Sequence, residues 1–535
     1  MSHQPTDRTT DRATADWHTT ACILCSSNCG VEVRLDGREI TRVRGNKAHV
    51  GSKGYTCEKA LRINHYQNAR GRLTSPMRRE PDGSYVEIDW GTAITEVARG
   101  LRGVIDHHGG DKIFYYGGGG QGNHLVGAYG AATRRALGIT RRSNALAQEK
   151  TGEAWVEGRM FGTHTHGHFA DAEVAIFLGK NPWHSHGFDE ARRVLKEIAA
   201  ADDRTMIVID PRRTETADLA DVWLPVRPGG DAYLLAALIG VVVDEGLTRT
   251  GWLAENAAGS EETVATFAGL PIAELAERCG VDEATIRTTA RRIAAAGSVA
   301  VYEDLGVEMA PNSTLISYLQ RVLWVLVGAY GVPGGMSAHS SIAPLFSYGA
   351  SGNEPTDPVT GGVIVSGLVP CNEIADGVLS DHPERARAMF VESANPVHSL
   401  ADSDKFRRAM RACEFSVVID VAMTETALEA DYVLPAASQY EKAEATFFSM
   451  GFPDNWFCLR APVLDPLPGT LPEAEIHARL LRELGALDGI DLAGLRTAAE
   501  QGKSRFADAF MQAAMTDPKV AEIGAIVLYE TLGHT

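Results

Sequence analysis

Apolar residues recur along this chain in three patterns. Short unbroken runs at 174–178, 207–209, 389–391 and 417–419 are each followed within four residues by Asn or Asp, and read as strands buried on both faces. A strict alternation appears early. Val31, Val33 and Leu35 are interleaved with Glu32 and Arg34, then Asp36-Gly37 offers a turn and 40–43 runs back, which predicts a half-buried hairpin. Helical spacing governs 91–105, where Ala93, Ile94, Val97, Leu101, Val104 and Ile105 share a face, Asp89 stands ahead as a cap and Gly109-Gly110 ends the run. Short strands are predicted at 112–116 and 299–302. Helices are predicted through much of 232–295, from Asn312 to about 327, and over most of the chain after Ile476.

These elements repeat. Residues 207–225 and 417–435 share the Asp, the Thr-Glu-Thr-Ala, the Ala-Asp and the Leu-Pro at one offset of 210. Upstream, Asn181-Pro182-Trp183-His184-Ser185 is echoed by Asn395-Pro396-Val397-His398-Ser399. The pattern predicts a duplicated α/β unit: a parallel strand enters an Asn-Pro loop, a helix crosses over, and a second strand ends in Asp. Asn and Asp then lie at strand carboxyl ends, where open α/β sheets bind ligands. Asp210 and Asp420 are therefore expected to touch ligand. The threonines of Thr-Glu-Thr serve equally well as caps of the segment that follows. Two copies of one half-site ask for a pseudo-symmetric ligand or two copies of one ligand.

The chemistry-bearing stretch lies before the repeat. Cys22, Cys25, Cys29 and Cys57 have the spacing C-x2-C-x3-C-x27-C. Soft thiolates select zinc, copper(I) or iron–sulfur clusters, and four cysteines are the usual ligands of a 4Fe-4S cluster. The hairpin at 31–43 brings Cys57 back toward the other three. A zinc ribbon is the alternative, although it normally pairs two C-x2-C knuckles and the second is missing here.

Length and composition bound the rest. A chain of 535 residues suggests three or four domains, with 44% hydrophobic and 22% charged residues typical of a globular protein. The balance of 51 basic against 69 acidic residues gives 51 − 69 = −18, which argues against nucleic acid as the main partner. Cys279, Cys371, Cys413 and Cys458 are scattered and read as reduced thiols, which fits a cytoplasmic setting. Residues 1–16 read as a disordered polar tail without an export signal, and no apolar run is long enough for a membrane span. The glycines at 117–122 satisfy G-x-G-x-x-G and suit either phosphate approach or a flexible loop, but no acidic residue follows about 20 positions on, as a dinucleotide fingerprint requires. His164, His166, His168, His184 and His186 gather without a nearby thiol or carboxylate, so loop or cofactor contact is expected over a metal site.

Taken together, the cysteine segment with Lys59, the paired Gly/Asn-Pro and Asp strand ends and the glycine loop resemble the molybdopterin oxidoreductases, the dimethyl sulfoxide reductase superfamily, nearest its molybdenum formate dehydrogenase branch. The resemblance covers about 17–480. It implies an α/β protein with a small N-terminal iron–sulfur domain (17–65 with about 436–465) and two pseudo-symmetric Rossmann-like domains, 66–143 plus 336–435 and 144–335. A helical segment, 466–535, follows. It also implies a 4Fe-4S cluster on the four cysteines, with molybdenum or tungsten held by two molybdopterin guanine dinucleotides. Lys59 would lie between cluster and pterin. Gly179, Asn181, Asp210, Arg212, Thr214, Gly229 and Asp231 would hold one dinucleotide, and Glu392, Asn395, Asp420, Thr424 and Asp431 would sit by the other.

The sequence departs from that family in three places. Formate dehydrogenases put Cys or selenocysteine on the metal, followed by His. The matching positions here are Glu149 and Lys150, and Glu149 serves either as a carboxylate metal ligand or as an ordinary helix acid. The substrate-binding arginine aligns near Tyr318, which cannot bind a carboxylate in that way. The family's C-terminal pterin-capping β-barrel domain is expected to be absent from this chain, being missing, cut off or supplied by another polypeptide. The expected activity is two-electron chemistry on a small-molecule substrate at molybdenum, with electrons leaving through the cluster to an external electron carrier or redox subunit. A non-redox hydratase on the same scaffold, or a degenerate cluster-bearing subunit, are the alternatives.

Overall fold

The computed structural model describes residues 16–25, 27–117, 123–338, 354–447 and 454–533. The chain opens with an antiparallel sheet of β1 (Trp17–Ala21), β2 (Gly30–Asp36) and β3 (Glu39–Gly45) in that order. Asp36 pairs with Glu39 across the turn, where Gly37 takes φ +57, a value that suits glycine. Val31, Val33 and Ile40 are fully buried on one face, as the alternation requires. A late segment packs on this unit. The buried carboxylate of Glu441 accepts from Arg38 at 2.6 Å and Arg72 at 3.0 Å, and Ser438 donates to Gln67 at 2.8 Å.

Next come α1 (Trp90–His108), β4 (Ile113–Gly117) and α2 (His124–Ala136). The Asp89 side chain accepts from Thr92 N at 3.0 Å and caps α1, whose apolar face is buried. The second unit follows: α3 (Thr151–Met160), β5 (Val174–Leu178), α4 (Ala191–Ala199), β6 (Thr205–Ile209), β7 (Val222–Leu224), α5 (Asp231–Asp244), β8 (Val299–Glu303) and α6 (Ser313–Leu326). The chain then returns to the first unit with β9 (Ala388–Glu392), α7 (Ser403–Ala412), β10 (Phe415–Asp420) and β11 (Tyr432–Pro435), and α8 (Glu473–Glu483) opens the closing helices.

Two sheets result. The larger runs Tyr85–Glu87, Met77–Arg79, β11, β10, β9, β4, Arg141–Ser143, parallel except at the Met77–Arg79 edge. The smaller is wholly parallel, β7-β6-β5-β8. Every residue of β5 is buried, and α5 buries Leu234, Leu235, Leu238, Ile239, Val241 and Val242, because helices cover both faces of a parallel sheet. Sequence-distant strands meet here: β9 pairs with β4 across some 270 residues, and the crossover of the whole second unit lies between them. No helix is long and apolar enough to cross a membrane among the described residues.

Candidate functional site: a four-thiol loop beside two matched strand edges

The four cysteines converge. Cys22 N donates to Cys29 O at 2.8 Å and Asn28 N to Cys25 O at 3.2 Å, closing a tight loop in which Asn28 takes φ +42. Burial pushes the Cys22 thiol up to about 12. Its neighbours Cys25 and Cys57 push the same way, while Lys59 opposes them. Cys29 is raised for the same reasons, with Cys25, Cys22, Asp189 and Cys57 all acting on it. Thiols raised by one another share a pocket and need a cation to become thiolates. The hydroxyls of Ser27 and Thr56, beside the ligand loop, are buried without a partner among the described residues, so they remain able to donate to cluster sulfur. This donor set fits an iron–sulfur cluster.

Lys59 leaves this loop toward the second unit and donates from Nζ to Ser185 O at 3.2 Å. Around it, Tyr55 Oη meets His186 Nδ1 at 3.3 Å and accepts from Arg192 N at 3.3 Å, and Arg192 pairs with Glu58. Burial beside Lys59 and Arg192 lowers His186 to about 4, so it is neutral.

Both repeats build one local geometry. Asn181 donates to Glu215 at 2.9 Å and accepts from Thr216 Oγ1 at 2.7 Å; Asn395 donates to Glu425 at 2.6 Å and accepts from Thr426 Oγ1 at 2.8 Å. Each second threonine also accepts from the turn, from Trp183 N at 3.2 Å and Val397 N at 3.0 Å. The two Asn amides thus tie each Asn-Pro turn to its own Thr-Glu-Thr. Thr214 Oγ1 accepts from Ala217 N at 3.2 Å, the cap that the sequence allowed, and Thr424 donates to Asp420 at 3.0 Å.

Asp210 follows β6 and Asp420 ends β10, each at a carboxyl edge. Burial raises both carboxyls. Asp231, at the start of α5, is pushed up to about 6 by burial and by Asp210. Arg212 opposes the rise at Asp210 and its backbone N–H donates to that carboxylate at 2.9 Å, whereas no cation acts on Asp231 or Asp420 among the described residues. Buried carboxylates lacking cations suit a ligand that presents N–H donors, as a guanine edge does. Gly229 takes φ +80 with open space at its Cβ position, Gly179 takes φ +61 against Gly306, and the Arg212 side chain is exposed. These residues fit a dinucleotide at this edge.

Two expected contacts are not placed there. Asp431 precedes β11, so it lies at the amino edge of the sheet, where it accepts from Ser416 N at 2.8 Å and Ser416 Oγ at 2.9 Å. Its counterpart Asp221 accepts from Met206 N at 2.7 Å, so the repeated Ala-Asp staples neighbouring strands. The Glu392 side chain is fully buried, accepting from Tyr115 and, at 2.7 Å, from His477, which in turn meets Thr133 at 2.8 Å. It locks α2 and α8 onto the sheet. The histidines also disperse: His164 pairs with Glu157, His168 with Asp171 and His184 with Glu215. Residues 118–122 of the glycine loop lie outside the described residues.

Glu149 and Lys150 lie between the two carboxyl edges. Gln148 Nε2 donates to Ser399 O at 3.4 Å, in the Asn395 turn of the larger sheet. Lys150 Nζ lies 3.8 Å from Asp304, which follows β8 of the smaller sheet and also pairs with Lys180. Lys150 further contacts Glu308 at 2.5 Å and Glu153 at 3.2 Å. Burial raises Glu149, and Lys150 opposes that. Behind them Arg321 reaches Glu153 at 3.2 Å, Glu157 at 3.0 Å and Glu303 at 2.5 Å. Glu153 groups closely with Glu157 and His164, and again with Glu303 and Glu308, in arrangements that could ligate a metal, but the guanidinium already supplies the cation. Nothing local in the sequence marks Arg321, because its partners come from α3 and β8.

A chain with a four-thiol domain feeding two matched α/β half-sites is built like a cofactor-bridging redox protein. Residues 72–467 match the family described as molybdopterin oxidoreductase, and 15–69 match the molybdopterin oxidoreductase Fe4S4 domain. The chain belongs to the molybdopterin oxidoreductase family, in the dimethyl sulfoxide reductase superfamily near its formate dehydrogenase branch, and its cofactors are a 4Fe-4S cluster and a molybdenum or tungsten molybdopterin. It is similar to a nitrate reductase of Symbiobacterium thermophilum, 27% identical over 474 residues, covering 80% of this chain and 61% of that one. It is similar to formate dehydrogenase H of Escherichia coli, 27% identical over 455 residues, covering 78% and 62%. The chain thus spans less than two thirds of the length of these relatives. The fold is like that of an acetylene hydratase from Pelobacter acetylenicus, with TM-score 0.75 and 21% identity over 87% of this chain and 69% of that one.

Proposed function

We propose that this chain performs two-electron oxidation or reduction of a small substrate at a molybdenum or tungsten centre carried by two pterin guanine dinucleotides. The observation that supports it best is the bridge made by 148–150, which touches the Asn395 turn of one sheet and the Asp304 end of the other. That bridge sets Glu149 and Lys150 between the two half-sites that would hold the dinucleotides. The cofactor, when bound, supplies the metal's two-electron chemistry. The chain's residues orient and insulate. Asp210 and Asp231 would accept from one guanine and Asp420 from the other, Glu149 would offer a carboxylate to the metal, and Lys59, which reaches Ser185 from the cluster loop, would lie between cluster and pterin. Electrons leave toward an external carrier or redox subunit.

Formate dehydrogenase-like redox chemistry is the leading form of this reading, with Glu149 where those enzymes carry sulfur or selenium. Lys150 is already held by three carboxylates and Tyr318 stands at the arginine position, so the reading favours a substrate bound without an arginine–carboxylate pair. The test is an anaerobic preparation analysed for iron, molybdenum, tungsten and released guanine nucleotide, then assayed with redox dyes against formate and nitrate. Metal near one per chain with dye-coupled turnover supports the reading. Iron without metal or pterin sinks it, and turnover that needs no electron acceptor points to a hydratase instead.

A further inference from the structure

Behind Lys150 lies a group of buried carboxylates that no step above uses. Glu153 and Glu157 stand one turn apart on α3, Glu303 ends β8, and Glu308 closes the short helix Leu305–Glu308. One carboxylate oxygen from each of Glu153, Glu303 and Glu308 lies within 4.8 Å of the others, and the same holds for Glu153, Glu157 and a ring nitrogen of His164. A single bridging water closes a gap of that size with two hydrogen bonds of about 2.8 Å. The series therefore has no break wider than one water. Its inner end is Glu308, which Lys150 holds at 2.5 Å beside the 148–150 bridge and whose side chain is 1% exposed. Its outer end is His164, which meets Glu157 at 2.6 Å and whose side chain is 22% exposed.

The charges here do not balance. Those four carboxylates and Asp304 face four cations, Lys150, Lys180, Arg321 and His164. Burial works against a charged His164, but Glu157 outweighs it. Glu149, at the mouth, is a further acid, while burial pushes Tyr302 and Tyr330 up and keeps them neutral. One carboxylate is in surplus, and the contacts show which. Glu303 accepts from Ser317, from Gln320 at 2.7 Å and from Arg321 at 2.5 Å. Glu157 accepts from Thr165 N at 2.9 Å and Thr165 Oγ1 at 2.7 Å besides Arg321 and His164. Glu153 lies between Lys150 and Arg321. Of the five, only Glu308 keeps an oxygen, Oε2, buried without a partner among the described residues. Burial, then Glu153, push its carboxyl up to about 10, so it holds a proton at neutral pH.

We propose that Glu308, Glu153, Glu157 and His164 form a proton route from the 148–150 bridge to solvent, with Glu308 storing one proton between turnovers. The inference rests on the redox reading above and supplies its proton path. Oxidation of the substrate releases protons along with the two electrons that leave for the external carrier. Glu308 passes its proton through Glu153 and Glu157 to His164, which gives one to solvent, and Glu308 is refilled from the substrate side. At each hop one O–H or N–H bond breaks as the next forms. Reduction of a substrate runs the same hops inward. Lys150 and Arg321 keep their charge throughout and hold the carboxylates in line.

Infrared spectroscopy of the full chain tests the route with or without cofactor. A protonated-carboxyl band is expected at neutral pH and is lost in Glu308→Gln, which has the shape of the neutral acid. On mixing into deuterium oxide the band shifts, about tenfold or more slower in His164→Ala and His164→Gln than in the parent, and added imidazole restores the rate in His164→Ala. No such band, a band retained in Glu308→Gln, or a shift as fast in both His164 variants as in the parent overturns the proposal. In preparations that turn over, Glu308→Gln lowers kcat about tenfold or more at unchanged KM, and an undiminished kcat also overturns it. The expected band and shifts in protein lacking molybdenum, tungsten and pterin overturn the redox reading alone, while the proton route stands.

Discussion

Asp231 and Arg321 show opposite ways in which one buried charge is managed. Asp231 has no cation and keeps its proton longer in the folded state, with its carboxyl at about 6 against 3.8 when exposed. Its protonated form is favoured by folding, so its contribution is complete below about pH 4 and is lost as pH rises through 6. Asp231→Asn should therefore flatten the stability profile, recovering about 2 kcal/mol at pH 7 relative to pH 4 in urea melts. Preparations carrying bound dinucleotide should show less of this effect, because the ligand's N–H groups supply what the apo site lacks. Arg321 is surrounded by three carboxylates. Removing one partner of a buried ionic group costs about 3–5 kcal/mol, so Arg321→Met should lower stability by that much at pH 7 and by less at pH 4, where the carboxylates take up protons.

Among the elements, the contact of α2 with the strand pair β4–β9 depends on a missing side chain. A Cβ on Gly130 would overlap both Glu392 Oε1 and Tyr115 Oη. Gly130→Ala should cost about 1–3 kcal/mol, as overpacking does, despite alanine's better helix propensity. A gain in thermal midpoint would show that the Tyr115–Glu392–His477 lock is loose. The same element-scale geometry explains which sequence expectations succeeded. The hairpin, the capped helix at 90–108 and the buried strands were written in period and punctuation, since each depends on neighbours within a few residues. Glu392 reads alike in sequence whether its side chain faces ligand or interior. Only α2 and α8 closing over it determined which. Asp431 was misplaced because the repeat marks equivalence, and equivalent residues at the amino edge repeat as faithfully as those at the carboxyl edge.

For the molecule as a whole, the question is how the thiol loop communicates with the strand edges. Lys59 touches Ser185, and the Tyr55–His186 and Glu58–Arg192 contacts fasten the same interface. Cys57→Ser should lower iron content sharply, read by chemical analysis and by loss of the visible cluster absorption. Lys59→Met should leave iron content near that of the parent while slowing substrate-driven bleaching of that absorption by about tenfold or more. Equal bleaching rates would place the electron route elsewhere.

Local spacing alone carried the cluster signature and the duplication: four cysteines at cluster spacing, and twin Asn-Pro and Asp motifs that read as strand ends. These are covalent spacings and local periodicities, fixed before any folding. Tertiary structure alone decided which carboxylates stand at the carboxyl edges of the sheets and which are consumed internally, and it alone brought 148–150 between the two edges. The bridge rests on contacts between residues about 150 to 250 positions apart, from Lys150 with Asp304 to Gln148 with Ser399, and no local pattern carries the register of such pairs.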